Sequence, residues 1–187
     1  MKTLLVKTCL LMSFALAIGT LSSCNDEQLT RDAVGTWKME IETEDGTETT
    51  YFALHKDGVL EETCYYRQTE TEEDITVVTK FKSTIQGTWE IVWGDLELSY
   101  ELSSLNVTYT GMDFPGHSGT EQEIAGAFVE AFFDDEIKSA KNELMEYLRE
   151  YYATSTCFSN LEIKDSNMTM EAEDGVVAHL KKQPINH

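Results

Sequence analysis

The chain has 187 residues, a length that suits one domain, with 14 basic and 34 acidic side chains. Its net charge of −20 repels phosphate backbones, because proteins bind nucleic acid through lysine and arginine side chains that replace counterions. The composition therefore argues against nucleic acid as a partner and favours cations or basic proteins. A hydrophobic fraction of 41% is ordinary for a globular protein.

Residues 1–23 have the three parts of a secretory signal. Lys2 and Lys7 supply positive charge, an apolar core follows over residues 10–18, and small residues lie near the cleavage point. This core is shorter than the roughly 20 apolar residues that a transmembrane span needs. Cleavage after residue 23 removes two basic residues and no acidic ones, so the mature chain carries a net charge of −22.

Directly after this core comes Leu21-Ser22-Ser23-Cys24. It resembles the lipobox of bacterial lipoproteins, in which a small residue precedes the cysteine that is lipidated and becomes N-terminal. The resemblance implies that Cys24 is acylated and anchors the protein to a membrane, since each buried methylene contributes roughly 0.8 kcal/mol. Residues 24–34 would then be the lipidated cysteine and a polar tether. In such lipoproteins, an aspartate directly after the lipidated cysteine is the usual signal for retention in the inner membrane, and Cys24 is not followed by one. We therefore expect the protein at the outer membrane, on its periplasmic or its cell-surface face.

Two cysteines remain in the mature domain, Cys64 and Cys157, and export places them in an oxidising compartment. A disulfide between them would close a loop of about 93 residues and contribute on the order of 4 kcal/mol in the chain-entropy model. The alternative is two buried free thiols, which behave as small apolar side chains. The Cα separation decides between the two, so both stay open here.

From Gly35 onward, apolar and polar residues alternate with a period of two, which is typical of half-buried antiparallel strands. Trp37, Met39 and Ile41 begin this pattern, and Asp-Gly turn signals recur between later runs. One alternating run of 19 residues, 75–93, exceeds an ordinary strand, so we expect a bend near residues 83–87.

About nine short strands follow from this pattern, as in an all-β barrel or sandwich. A barrel leaves no open sheet edge, and neighbouring hairpins favour an up-and-down order of strands. The sequence therefore predicts a mainly β, antiparallel up-and-down barrel of about 8–9 strands.

The period changes to a helical one after residue 119. Thr120-Glu121-Gln122-Glu123 has the spacing of a capping box, and an apolar stripe continues to Tyr151. One straight helix of this length would be about 50 Å long, so we expect a break near Asp134-Asp135. The sequence predicts a helical insertion over 120–152, before the last three strands.

Gly35-x-Trp37 resembles the opening motif of lipocalins and related calycins, in which the tryptophan closes one end of the barrel. The repeat at Gly87-x-Trp89 and the ending 168–176 are similar to bacterial lipocalin-like lipoproteins of unknown function. The resemblance covers residues 35–110 and 156–182. It implies a lipocalin-like barrel domain over 35–182, with a tail over 183–187. Structural roles are expected for Gly35, Trp37, Gly87 and Trp89.

The resemblance also implies a cavity for a small apolar ligand. Its candidate lining residues are aromatic: Phe81, Trp93, Tyr100 and Tyr109. The alternative is a non-enzymatic structural or protein-interaction lipoprotein of an envelope or nutrient-uptake assembly. The helical insertion favours that alternative, because a ligand barrel does not need one.

We identify no catalytic residue, metal site or cofactor motif in the sequence. The four histidines lack metal-ligand spacing. Gly116-His117-Ser118-Gly119 is followed by Thr120 where a nucleophile elbow needs glycine. The sequence therefore predicts a binding or structural protein rather than an enzyme, without a cofactor.

Overall fold

The computed structural model describes residues 25–43, 46–72, 75–116, 120, 134–154 and 156–184. These residues form eight β-strands, a helix α1 over residues 25–33 and a helix α2 over Asp134–Tyr151. The strands are β1 (Gly35–Thr43), β2 (Gly46–Leu54), β3 (Val59–Glu72), β4 (Ile75–Val92), β5 (Asp95–Asp113), β6 (Thr156–Lys164), β7 (Asn167–Glu171) and β8 (Val177–Lys182).

Several predicted features fall wholly or partly outside the described residues. They are the signal peptide over 1–23, the lipidated Cys24, most of the first half of the helical insertion, and residues 185–187 of the tail. The break expected near Asp134-Asp135 adjoins residues 121–133, which lie outside the described residues, and stays a prediction.

The eight described strands form one closed antiparallel barrel, in which each strand pairs with its neighbours in sequence. β1 closes on β8, with Trp37 opposite Lys182 and Met39 opposite Leu180. The up-and-down barrel prediction is confirmed, with α2 before the last three strands. The long run 75–93 forms the single strand β4, and the expected irregularity lies in its pairing with β5, where the register shifts between Thr84 and Gln86.

Residues 25–33 form α1 rather than the expected tether, because α1 is fastened to the start of the barrel. Trp37 Nε1 donates a hydrogen bond of 2.7 Å to the Ala33 carbonyl oxygen. Lys182 Nζ donates one of 3.0 Å to the Asp32 carbonyl oxygen and lies 5.0 Å from the centre of the Trp37 ring. Trp37 is fully buried, and its cation–π contact with Lys182 joins both ends of the barrel chain.

The barrel end around Trp37 is filled by side chains from every strand. Besides Trp37, its buried members are Ala33, Phe52, Leu54, Leu60, Trp89, Leu96, Leu98, Leu161, Met168, Met170 and Leu180. The turns at 55–58, 93–94 and 165–166 lie at this end together with α1, since they join the paired strand ends there. We call this region the Trp37 end.

The local structure explains why glycine occurs at positions 35 and 87 and how Trp89 is held. A Cβ atom on Gly87 would lie 2.1 Å from the Ser99 carbonyl oxygen, so only glycine lets β4 and β5 approach this closely. Gly35 has a φ of 143°, which favours glycine. The Trp89 ring is buried, and its Nε1 donates a hydrogen bond of 2.9 Å to the His55 carbonyl oxygen.

The opposite end, which we call the mouth, has one tall wall. β3, β4 and β5 have 14, 18 and 19 residues, whereas the other described strands have nine or fewer. α2 packs beside this wall, and its buried Leu148 contacts a cluster formed by Phe81, Ile85 and Val107. Helix α2 therefore covers the mouth.

Candidate functional site

A buried carboxyl group stands out inside the barrel. The inward positions of β3 follow from its period of two and are Leu60, Glu62, Cys64 and Tyr66. Glu62 is only 6% exposed although it lies among apolar side chains. Burial of a carboxyl group is costly unless hydrogen bonds replace those it made with water. The surroundings of Glu62 are therefore the first place to look for function.

Two tyrosines supply those hydrogen bonds. The Tyr100 hydroxyl donates to Glu62 Oε2 at 2.7 Å, and the Tyr152 hydroxyl donates to Glu62 Oε1 at 2.5 Å. The two phenol rings are 4.5 Å apart between centroids. We call these three residues the tyrosine–glutamate cluster. It joins β3, β5 and the residue that follows α2, so it fastens the helix to the barrel.

The protonation of this cluster follows from its burial. Burial raises the pKa of Glu62 above its usual value, and the hydrogen bonds from the two tyrosines offset only part of that effect. Burial also raises the pKa of Tyr100 and of Tyr152, and the adjacent Glu62 carboxylate raises both further. Both phenols therefore keep their protons at neutral pH and act as donors.

Cys64 lies next to this cluster, one inward position further along β3. Thr50 Oγ1 donates a hydrogen bond of 3.2 Å to Cys64 Sγ, and the Tyr66 hydroxyl also hydrogen-bonds to Cys64. Burial raises the pKa of the Cys64 thiol to about 11, and these hydrogen bonds offset only part of the increase. The thiol is therefore protonated at neutral pH and is a poor nucleophile.

The disulfide considered between Cys64 and Cys157 is not formed, and both thiols are free. Cys64 is buried inside β3, which pairs with β2 and β4. Cys157 lies on β6 opposite Glu97 of β5 and is only partly buried. Because β3 and β6 are not neighbours in the barrel, the chain does not bring the two sulfur atoms together.

Three of the four predicted lining residues lie at the mouth. Phe81 is buried there, its ring 5.9 Å from that of Tyr109, and Tyr100 contributes to the tyrosine–glutamate cluster. Trp93 is a correction, because it lies in the turn between β4 and β5 and is 73% exposed. The alternating pattern ends where the chain turns, so Trp93 no longer shares the inward face of β4.

Two residues of the cluster were not predicted from the sequence. Glu62 has an inward position by simple alternation with Leu60 and Cys64, and that alternation could have marked it. Tyr152 is buried, whereas the predicted stripe residue Tyr151 is 54% exposed. The reason is that the buried stripe continues from Leu148 at a spacing of four, to Tyr152, rather than at a spacing of three, to Tyr151, and the Tyr152 N–H donates a hydrogen bond of 2.9 Å to the Leu148 carbonyl oxygen.

Other features of the described residues are less like a ligand site. No group of three or more His, Cys, Asp or Glu side chains among them could hold a metal ion, and no helix among them is long and apolar enough to cross a membrane. A groove of about 270 Å³ lies beside the 55–58 turn, and Asp57, Glu90 and Glu97 are among its lining residues. The groove is open to solvent and lined by these acidic side chains, whereas ligand pockets typically have apolar walls.

Comparison with models of protein families and with curated proteins finds no match to this chain.

Proposed function

We propose that the protein is a lipocalin-like lipoprotein, anchored to the outer membrane through Cys24, that binds a small and largely apolar ligand at the barrel mouth. The observation that carries this proposal is the buried Glu62, whose carboxyl group is held by two phenols beneath α2. A barrel that served only as a scaffold would be more stable with an apolar side chain at this position.

The surroundings of Glu62 have the composition of a ligand site. Such sites have mostly apolar and aromatic walls with a few polar groups that orient the ligand. Here the apolar wall consists of Phe81, Ile85 and Val107, and the polar group is the Glu62 carboxyl. A ligand with one hydrogen-bond donor on an apolar body would suit both.

Tyr152 occupies this position in the structure. Its hydroxyl donates a hydrogen bond to Glu62 Oε1, and its ring packs against the ring of Tyr100. An incoming ligand would therefore replace the Tyr152 side chain and bring its own donor to the carboxyl. Because Tyr152 directly follows α2, entry of the ligand requires the end of this helix to move.

A fluorescent probe of matching chemistry tests the proposal. N-phenyl-1-naphthylamine is neutral, aromatic and carries one N–H donor. We expect saturable binding to the wild type and at least about tenfold weaker binding to Glu62→Met, since a hydrogen bond to a charged group contributes about 1.5–3 kcal/mol. Tyr152→Phe should bind more tightly, because the competing hydroxyl is gone.

The matched control for Glu62→Met is Glu61→Met. Glu61 precedes Glu62 on β3, but its side chain is exposed. The control should bind the probe as the wild type does. Absence of saturable binding to the wild type, or equal affinities for the two variants, would contradict the proposed site.

A second candidate function is a structural or protein-interaction lipoprotein of an envelope or nutrient-uptake assembly. The observation that favours it is the outer face of α2, where Tyr147 and Tyr151 stack with a centroid distance of 6.5 Å and are 62% and 54% exposed. Exposed tyrosines are typical of protein interfaces. A photo-crosslinker at position 147 that captures the same envelope protein repeatedly, while one at exposed Tyr65 does not, would support this function instead.

A further inference from the structure

The turn between β4 and β5 presents an exposed tryptophan. Val92 pairs with Asp95, so Trp93 and Gly94 form a two-residue hairpin turn. Their φ values are 58° and 87°, both positive, as in the tight turns that suit antiparallel hairpins. Such positions are normally occupied by glycine, asparagine or aspartate, and a bulky residue there is an outlier.

Trp93 is thus unfavourable in two independent respects. Its backbone adopts a conformation that large side chains rarely take, and its indole is 73% exposed to water. Neither property improves the fold, because asparagine would suit the turn and would leave no apolar surface exposed. A bulky side chain held in such a backbone conformation points to a role other than stabilising the fold.

The position of Trp93 indicates what that role is. Its backbone N–H donates a hydrogen bond of 3.1 Å to Asp26 Oδ2, near the start of α1. Asp26 is only two residues from Cys24, the proposed site of lipidation. A membrane anchor attached at residue 24 would therefore be only two residues along the chain from the side chain that contacts the Trp93 turn.

The Trp37 end carries charges of both signs. Lys56, Lys164 and Lys181 are exposed in or beside the turns of the Trp37 end. Acidic side chains are present there too, among them Asp26, Asp57, Asp95 and Asp165, so this end has mixed charge although the chain as a whole is strongly acidic. Exposed lysines can contact lipid phosphates, and tryptophan prefers the interface between headgroups and acyl chains.

We propose that Trp93 inserts into the interface of the membrane that holds the lipid anchor, so that the Trp37 end faces the bilayer and the mouth faces away from it. This inference rests on the lipidation of Cys24 in the proposed function, and it is independent of ligand binding. The exposed Trp93 side chain would therefore contact a lipid bilayer.

Quenching by brominated lipid tests the inference. Lipidated protein is purified from membranes and reconstituted into phosphatidylcholine vesicles with ordinary or brominated acyl chains. Trp37 and Trp89 are buried in the barrel, which leaves Trp93 as the tryptophan that lipid can reach. We expect brominated lipid to remove most of the Trp93 emission from the wild type and to leave the emission of Trp93→Phe unchanged.

A tryptophan at the other end of the molecule is the matched control. Tyr147→Trp, made together with Trp93→Phe, places an exposed indole on α2, and its emission should not be quenched. Equal emission of the wild type in both kinds of vesicle, while the protein floats with the vesicles, would overturn the inference and leave the anchor intact. Failure of the protein to float with vesicles would instead refute the anchor, and with it this inference.

Discussion

At the scale of single residues, Trp37 shows how one side chain fastens several elements together. It is fully buried, and its Nε1 donates a hydrogen bond to the carbonyl oxygen of the last residue of α1. Lys182 of β8 makes a cation–π contact with its ring. Removing such a side chain deletes its apolar contacts and leaves a cavity that the barrel cannot fill.

We predict that Trp37→Ala lowers the free energy of unfolding by about 3–5 kcal/mol. Urea denaturation measures this difference, and Trp93→Ala is the control, because it removes an indole that is largely exposed. The control should change stability by less than about 1 kcal/mol, as expected for exposed positions. Equal losses in both variants would refute the role assigned to Trp37.

The raised pKa of Glu62 predicts the direction in which the stability of the protein changes with pH. Its pKa in the folded state is raised by burial above the unfolded value of about 4.3. Between these two pKa values, the folded state holds a proton that the unfolded state has released, so stability falls as pH rises. The stabilising effect is complete below the unfolded value and is lost as pH rises through the folded value.

We therefore predict that the stability of the wild type relative to Glu62→Gln falls as pH rises above the unfolded value of about 4.3, until the raised pKa of folded Glu62 is passed. The fall is at most about 1.4 kcal/mol per pH unit within that window. Urea denaturation at a series of pH values measures it, and the exposed Glu61→Gln should show no such slope. Parallel curves for wild type and Glu62→Gln, or a slope of the opposite sign, would count against a buried and protonatable Glu62.

At the scale of elements, α2 is held to the mouth by one apolar face and one polar contact. Leu148 packs against the barrel, and the Tyr152 hydroxyl reaches Glu62. The rest of the described helix is largely polar, with acidic residues in its first turn and Arg149 in its last, an arrangement that suits the helix dipole. Such an element can open locally while the barrel stays folded.

We predict that Tyr152→Phe increases hydrogen exchange in α2 by about 5–30-fold, because the lost hydrogen bond contributes about 1–2 kcal/mol. Exchange measured by mass spectrometry should change in Asp134–Tyr151 and not in β1 or β8. Tyr151→Phe is the matched control, since its side chain is more than half exposed. Unchanged exchange of α2 in Tyr152→Phe would mean that Glu62 does not hold the helix.

The strands were easier to predict from the sequence than the helix contacts. Alternation of apolar and polar residues directly reports a half-buried strand, and the alternation of Trp37, Met39 and Ile41 predicts β1. Trp93 lies one step beyond the end of β4, where the period of two no longer applies. Tyr152 continues the helical stripe from Leu148 at a spacing of four, whereas the predicted Tyr151 follows at a spacing of three, and the sequence pattern allows both. Whether Cys64 and Cys157 form a disulfide depends on the distance between them across the barrel, which the local pattern does not contain.

At the scale of the whole molecule, the barrel has two ends of different character. The Trp37 end is tightly packed and carries α1, which leads back toward residue 24. The mouth contains a buried carboxyl group and is covered by a helix. We propose that the protein is attached to the membrane at the Trp37 end and binds its ligand at the mouth.

Native mass spectrometry of the protein purified from membranes in detergent tests this claim most directly. The account predicts that the wild type and Glu61→Met carry a small molecule that is held non-covalently, in addition to the acyl chains on Cys24. Glu62→Met should retain the acyl chains and lose that molecule. A wild type whose mass equals that of the lipidated polypeptide alone would contradict the account.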